Sequence, residues 1–391
     1  MAPVAGQSGT TKRTRFLVLA DTHGAYYLPD TKKLQPIDVV IHCGDITADS
    51  QLAEYKTAIR LLGQIDAPLK LVIPGNHDFT LDTPTYQRLL HRARKRRDFP
   101  KLLRTHGQPG DARHLLSSDG HANNNIHYLD EGTHRFRLPN GTALTVYASP
   151  YTPAFGTPGF QYRTGDSRGG VPGHDFAVPA DVDIVVTHGP PRGVLDRVWG
   201  PPPPYSSSSS SRHVGSPELF AAVARARPRM HCFGHIHEGW GAEVVRWETE
   251  NTTRYPSQEG EENEESDLQQ RRGHNDNRPP SSTVIADLGS VLPLKGDSPE
   301  AVADKDRRLR EYAAGKCIKT SHCVGDSLPV EKGASTLFVN AAVIGQPVRP
   351  PWIVDLELPV ASEGNASVVE NGEDHLVDSV ASTDGIPMNE C

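Results

Sequence analysis

The sequence predicts an α/β fold in which parallel strands pack against helices. Two observations carry this expectation: five short, β-rich apolar runs each stop at a cluster of Gly, Asp, Asn or His, and a helical pattern separates the second run from the third. Residues 15–20 (RFLVLA) end at Asp21. Residues 37–42 (IDVVIH) run into Gly44-Asp45, and residues 69–74 (LKLVIP) into Gly75-Asn76. Residues 183–187 (DIVVT) run into His188, and residues 229–233 (RMHCF) into Gly234-His235. The helix follows the second run. Asp49 or Ser50 can cap it, Leu52, Tyr55, Ile59 and Leu62 share one face, and Gly63 stands where it would stop. Further short strands are expected at 126–129, 143–148, 283–286, 336–340 and 352–356. In such sheets ligands bind beyond the carboxyl ends of the strands, where every polar cluster above falls.

Composition bounds the rest. The chain has 391 residues, with 36% hydrophobic content and a mean hydropathy of −0.50, low for a compact domain of this length. Together with 35 Gly and 33 Pro, this points to many loops, or to disordered sequence diluting a normal core. Residues 1–13 are expected to be disordered, and 14–358 to form the folded domain. Three insertions are expected within it, at about 91–125, 200–213 and 248–282. The first is basic, with seven Lys or Arg between Arg92 and Arg104, and then reads as loop; the second is PPPPYSSSSSSR-like, and the third is polar throughout. The tail, 359–391, is acidic and reads as disordered: seven carboxylates and no Lys or Arg after Pro359 account for the whole net charge of −7. The first residues hold no apolar h-region, so no secretory signal is expected; no membrane-length apolar run occurs, and the five cysteines are odd in number and scattered. A reducing, cytoplasmic location without membrane contact is expected, with the basic run as a candidate nuclear signal. That run reads first as a solvated helix face, so a nucleic-acid partner is not expected.

The strand-end clusters carry the chemistry. Asp21 and His23 are two apart and, on extended backbone, would point to one side and share a metal ion. Asp45 offers two oxygens that can bridge two ions. Asn76 offers a neutral carbonyl oxygen. His77, one residue on, is better suited to general acid work, with Asp78 as its orienting carboxylate. His188 alone is evenly balanced between a ligand and a satisfied strand-end histidine. His235 and His237 repeat the spacing of two, or belong to a polar hairpin before Gly239 and Gly241. His231, His42, Cys43 and Cys232 lie within strand runs and read as buried packing residues. His213, after the serine run, has a minor chance of reaching the site from its loop.

Taken in order, DTH, GD, GNHD, THG and GHIH resemble the calcineurin-like metallophosphoesterases. The surrounding THGPPRG, CFGHIHEGWG and FVNAA are similar to the brain-type metallophosphoesterases and their fungal relatives, a class III cyclic-nucleotide phosphodiesterase-like branch. The resemblance implies a four-layer α/β/β/α sandwich and two metal ions. Asp21, His23, Asp45 and His237 would hold the first ion, and Asp45, Asn76, His188 and His235 the second, with Asp45 bridging. His77 would protonate the leaving group. Mixed nitrogen and oxygen ligands suit Mn, Fe, Zn or Co. Two divalent ions outweigh Asp21, Asp45 and a bridging hydroxide, leaving a core of about +1 that draws an anionic ester and drives in-line hydroxide attack.

The expected function is therefore phosphodiester hydrolysis of a small phosphoester, cyclic nucleotides among the candidates. The same core would serve a phosphomonoesterase or protein phosphatase; a non-catalytic metal or nucleotide-binding scaffold is the alternative from another class. Residues 149–170 are rich in aromatics, Gly and Pro. Arg163 or Arg168 could grip phosphate there and Tyr151, Phe155 or Phe160 could stack on a base; a packed surface loop accounts for the composition equally well. Oligomeric state is not legible.

Overall fold

A computed structural model describes residues 10–24, 36–96, 98–117, 125–154, 156, 159–163, 173–198, 213–247, 281–294, 296–345 and 348–361. Its strands are β1 (Thr11–Leu19), β2 (Val39–Cys43), β3 (Leu69–Ile73), β4 (Ile126–Tyr128), β5 (Gly132–Arg137), β6 (Ala143–Ser149), β7 (Thr152–Pro153), β8 (Gln161–Tyr162), β9 (Ile184–Thr187), β10 (Met230–Phe233), β11 (Gly241–Arg246), β12 (Ser282–Asp287), β13 (Ile318–Ser321), β14 (Ser335–Asn340) and β15 (Trp352–Pro359). The helices are α1 (Leu52–Gly63), α2 (Thr83–Lys95), α3 (Phe99–His106), α4 (Asp111–Leu116), α5 (Pro217–Ala226), α6 (Leu288–Val291) and α7 (Pro299–Gly315).

Two large sheets hold the core. The first runs β13-β15-β1-β2-β3-β4 and the second β12-β11-β14-β10-β9-β6-β5. Each has a parallel centre, as expected: β1-β2-β3-β4 in one and β6-β9-β10-β14 in the other. Antiparallel strands are added at β15 and β11. The reason β1 reads as a continuous apolar run is that both its faces are covered. Phe16, Val18 and Ala20 enter the core between the sheets, beside Val39, Ile41, Val186 and Cys232. Leu17 and Leu19 face the other way, onto Tyr55, Ile59 and Leu62 of α1. Beyond the second sheet, Val185, Phe233 and Phe338 pack on Leu219, Phe220 and Val223 of α5. Three apolar interfaces between helices, sheet, sheet and helix make the four-layer α/β/β/α sandwich.

Several boundaries differ from the sequence reading. β1 starts at Thr11, within the stretch expected to be disordered, because Thr11 to Val18 pair with β15 from Pro359 back to Trp352. The basic run is helical, as its reading as a solvated helix face anticipated, and spans the end of α2 and α3. Beyond it, α4 is helical where loop was expected, held by a thin apolar attachment: Ala112 and Leu116 are buried against the α1 layer, and ahead of it the Tyr86 hydroxyl donates to Gly107 O at 2.5 Å. Neither Asp49 nor Ser50 caps α1. Gln51 is the cap residue, and the Glu54 carboxylate accepts from the backbone N–H groups of Ala48, Asp49 and Gln51. Most of the second and third insertions, and the tail beyond Ala361, lie outside the described residues. No helix among the described residues is long and apolar enough to cross a membrane.

Candidate metal centre

The five clusters converge because parallel strands deliver their carboxyl ends to one edge. The loop after β1 runs along the loop after β2, through Asp21 N–H to Gly44 O (2.9 Å) and His23 N–H to Asp45 O (3.0 Å). Within the second sheet, Gly234 N–H donates to His188 O at 3.0 Å, and the two sheets meet where His235 N–H donates to both Asp21 oxygens at 3.0 and 3.1 Å.

The side chains gather into three groups whose candidate ligand atoms lie within 4.8 Å of one another: Asp21–His23–His237, His23–Asp45–His77 and Asp45–His188–His235. Asp21 Oδ1 is 3.4 Å from His237 Nε2, Asp45 Oδ2 is 3.5 Å from His23 Nε2, and Asp45 Oδ1 is 3.4 Å from His188 Nε2. Asn76 Oδ1 joins the third group, 2.9 Å from His188 Nε2. Asp45 thus has one oxygen toward each half of the cluster. His235 and His237 fall in different groups despite their spacing of two. Both outer groups draw residues from both sheets.

The backbone differs from the extended one that the spacing argument assumed. Asp21, His23, Asp45 and His235 have φ of 55°, 46°, 53° and 66°. Such conformations cost non-glycine residues of order 1–2 kcal/mol. Four of them at one cluster mark a backbone shaped for side-chain direction rather than for local stability.

The residues fit a pair of divalent cations. His23 Nε2 is buried, without a hydrogen-bond partner, and faces Asp45. His188 Nδ1 meets Cys43 O at 2.9 Å; donation there leaves Nε2 to coordinate, the usual outer support of a metal-bound imidazole. The field is strongly negative. Burial alone would raise the carboxyl of Asp45, but the facing His188 outweighs it and holds Asp45 low; Asp21 is held low against burial in the same way by His237. In return, burial pulls His188 down but Asp45 pulls harder, leaving it at about 9, and His237 is raised by Asp21. Burial leaves His235 at about 4 and also lowers His23. A cavity that favours the protonated form of two imidazoles would favour divalent cations by the same attraction, and the two compete.

The remaining expectations divide. The His77 ring meets the edge of His23 at 4.7 Å, its N–H donates to Asp45 Oδ1 at 2.8 Å, and its Nδ1 lies 2.6 Å from Ala48 O. Ala48 O, and not Asp78, therefore orients the ring. Asp78 is fully buried and accepts from Ile46 N, Gly75 N, Thr47 N and Thr47 Oγ1 at 2.6–3.0 Å. It ties the β2 and β3 loops together; burial and nearby Asp45 push it up to about 6 despite those donors. Arg163 is exposed at the end of β8, with no described bond to the cluster; Arg168 and Phe155 lie outside the described residues. Phe160 is buried, so it cannot stack on a ligand. His213 pairs with Asp196 and joins none of the three groups. His231 is fully buried, bonded to Thr187 Oγ1 at 2.8 Å, and burial takes it down to about 3. His42 is likewise buried, against Thr22 Oγ1 at 3.0 Å. Cys43 and Cys232 are buried in the core between the sheets.

Sequence reasoning missed two residues behind the second histidine pair. The Asn340 amide donates to Ile236 O at 2.9 Å and Leu195 O at 3.1 Å, so FVNAA supplies a clamp for the GHIH turn. The Arg349 guanidinium donates to His237 O. Neither could be found from ligand chemistry, because both act on backbone carbonyls.

Comparison with known proteins agrees with this geometry. Residues 14–239 match the model of the calcineurin-like phosphoesterases. The chain is 32% identical over 232 residues to human metallophosphoesterase domain-containing protein 1, covering 58% of this chain and 62% of that protein. It is 31% identical over 255 residues to a protein of Emericella nidulans named probable rhamnogalacturonate lyase C, covering 63% of this chain but 20% of the other. The chain thus spans about three-fifths of the first relative and a fifth of the second. Among solved structures, the phosphopantetheinyl hydrolase of Mycobacterium tuberculosis aligns at 12% identity and a TM-score of 0.33 over 57% of this chain and 83% of that one, too remote for any argument about activity. On the strength of the matched family model and of the ordered Asp, Asn and His residues converging at one edge, the chain belongs to the calcineurin-like phosphoesterase family.

Proposed function

We propose that the chain is a dinuclear metal-dependent phosphoesterase that prefers phosphodiesters, with small nucleotides as the leading substrate class. The observation that carries this reading is the position of Asp45, whose two oxygens face His23 on one side and His188 on the other. Asp21, His23, Asp45 and His237 would hold one ion, and Asp45, Asn76, His188 and His235 the other. The chemistry supplied by such ions when bound is Lewis acidity toward phosphoryl oxygens and acidification of water near neutral pH. The protein's own part is to fix direction. Cys43 O sets the His188 tautomer, and Asp78 holds the loops that carry Asp45 and Asn76. His77, anchored through Nδ1 to Ala48 O, keeps Nε2 free to hand a proton to the leaving oxygen. The diester preference rests on the resemblance of THGPPRG, CFGHIHEGWG and FVNAA.

The test is a Mn²⁺-supplemented panel of bis-p-nitrophenyl phosphate, p-nitrophenyl phosphate and cyclic nucleotides, with Asp45→Asn as control. Diester turnover that disappears in Asp45→Asn is expected. A ratio strongly favouring the monoester would replace the diesterase by a phosphomonoesterase on the same residues. Two bound metals without turnover of any ester would leave a binding scaffold.

A further inference from the structure

We infer that Arg349 is a positioning residue for one metal site only: it sets the direction of His237 by holding that residue's carbonyl from the far, C-terminal part of the chain. His237 opens a short 3-10 turn, His237–Gly239, between β10 and β11. A 3-10 turn of three residues has few and poorly aligned bonds of its own to fix its direction. The carbonyl of its first residue is held from outside as well as from within. His237 O accepts from Trp240 N at 3.2 Å within the turn and from Arg349 Nη1 outside it. The same Nη1 donates to Ile344 O at 2.9 Å, and Arg349 N–H donates to Val343 O at 2.9 Å, so the guanidinium is itself fixed to the segment leading into β15. Trp240 Nε1 adds a bond to Pro350 O at 3.3 Å. Gly345 lies flat against the guanidinium: a Cβ there would come within 2.6 Å of Cζ and 2.7 Å of Nη2.

The selectivity follows from which ligands this clamp reaches. His237 belongs to the Asp21–His23–His237 group alone. His235, two residues earlier, is directed by its own N–H bonds to Asp21. The other members of its group, Asp45 and His188, sit on other loops. Loosening Arg349 should therefore release His237 without releasing His235. Supports that orient metal ligands from behind typically contribute about 10–100-fold in metal affinity.

This inference rests on the reading of His237 as a ligand, and the experiment separates the two. Metal-free full-length protein is titrated with Mn²⁺ by calorimetry, using His237→Ala and His235→Ala to assign each binding step. Arg349→Met is expected to weaken the His237 step about tenfold and to leave the His235 step unchanged, with Arg349→Lys restoring part of the loss. Gly345→Ala, which displaces the guanidinium without altering it, should shift the same step in the same direction. Equal weakening of both steps by Arg349→Met, or of neither, would overturn the inference. If His237→Ala itself left both steps intact, the ligand reading would fail first.

Discussion

Gly75→Ala puts the architecture of the centre under a direct test. Gly75 separates β3 from Asn76, and the loop passes so close to its neighbours that one methyl group has no room. A Cβ at this position would stand 2.6 Å from Cε1 of His188 and closer still to Oδ1 and the backbone nitrogen of Asp45. Ordinary carbon contacts need about 3.5 Å or more. None of the three neighbours can yield cheaply. Asp45 Oδ1 is bonded to His77 N at 2.8 Å, the Asp45 nitrogen is main chain, and the His188 ring is completely buried with both nitrogens engaged. Relief must come from moving Asp45 and His188 apart by most of an ångström. Overpacking of this kind costs about 1–3 kcal/mol in stability. Displaced ligands should cost a further 10–100-fold in affinity for the ion held by Asp45, His188 and His235, by analogy with lost ligand support. Thermal unfolding of the metal-free protein reads the first quantity and Mn²⁺ titration the second. Gly315→Ala, at the end of α7 with open space around it, is the control and should leave stability unchanged or raise it by up to about 1 kcal/mol. A Gly75→Ala protein with parental metal affinity would refute the close approach, and with it the placement of Asp45 against His188.

Three further outcomes are expected. His77→Ala should keep both metal-binding steps while turnover of a diester falls about 10²–10⁴-fold; loss of a metal would instead make His77 a ligand. Asp78→Ala strands three backbone N–H groups and the Thr47 hydroxyl in a buried place, and should lower stability by about 3 kcal/mol or more in urea denaturation. Metal uptake should strengthen as pH rises. His188 is raised to about 9, so it carries a proton at neutral pH that an entering cation must displace, and His237 is shifted in the same direction by Asp21 against burial. Apparent affinity of the site that holds His188 should therefore climb with pH up to about 9 and level off above it, by at most about one log unit per pH unit. Affinity that is flat between pH 6 and 9 would contradict this.

How much was legible depends on what each residue does. The five strand ends were readable because buried parallel strands leave continuous apolar runs, and because metal-binding residue types are rare enough to stand out in order. The separation of His235 from His237 needed the family resemblance, since spacing alone pairs them. The geometry explains why. With φ of 66° at His235, the backbone reverses between the two residues, and alternation along an extended chain no longer applies. Asp21 and His23 end in one group as the spacing suggested, but through two left-handed residues and not through a straight strand. The basic run was readable as an exposed helix face, and the end of α2 and α3 bear that out. Helix α4 was hidden, because two buried residues, Ala112 and Leu116, are too few to set a period. Asn340 and Arg349 were hidden for a different reason: they bond to carbonyls, and a carbonyl leaves no mark in the sequence.

Both outer groups of the centre draw on both sheets: Asp21 and His23 with His237, and Asp45 with His188 and His235. An ion in either group would act as a rivet through the seam of the sandwich. The sheets are already pinned at this edge by Ala20 N–H to Ala341 O at 2.9 Å and Val343 N–H to Ala20 O at 3.0 Å, and the close-packed interior resists sliding as well. A bound ion would add a further, directional fastening. Loading at a hundred times the dissociation constant would add about 2.7 kcal/mol per independent site, and that resistance would be concentrated at the edge where an ester must enter. If the proposed function holds, the residues that do the chemistry also help fasten the two halves, so a weakened ligand should loosen the sandwich as well as slow the chemistry.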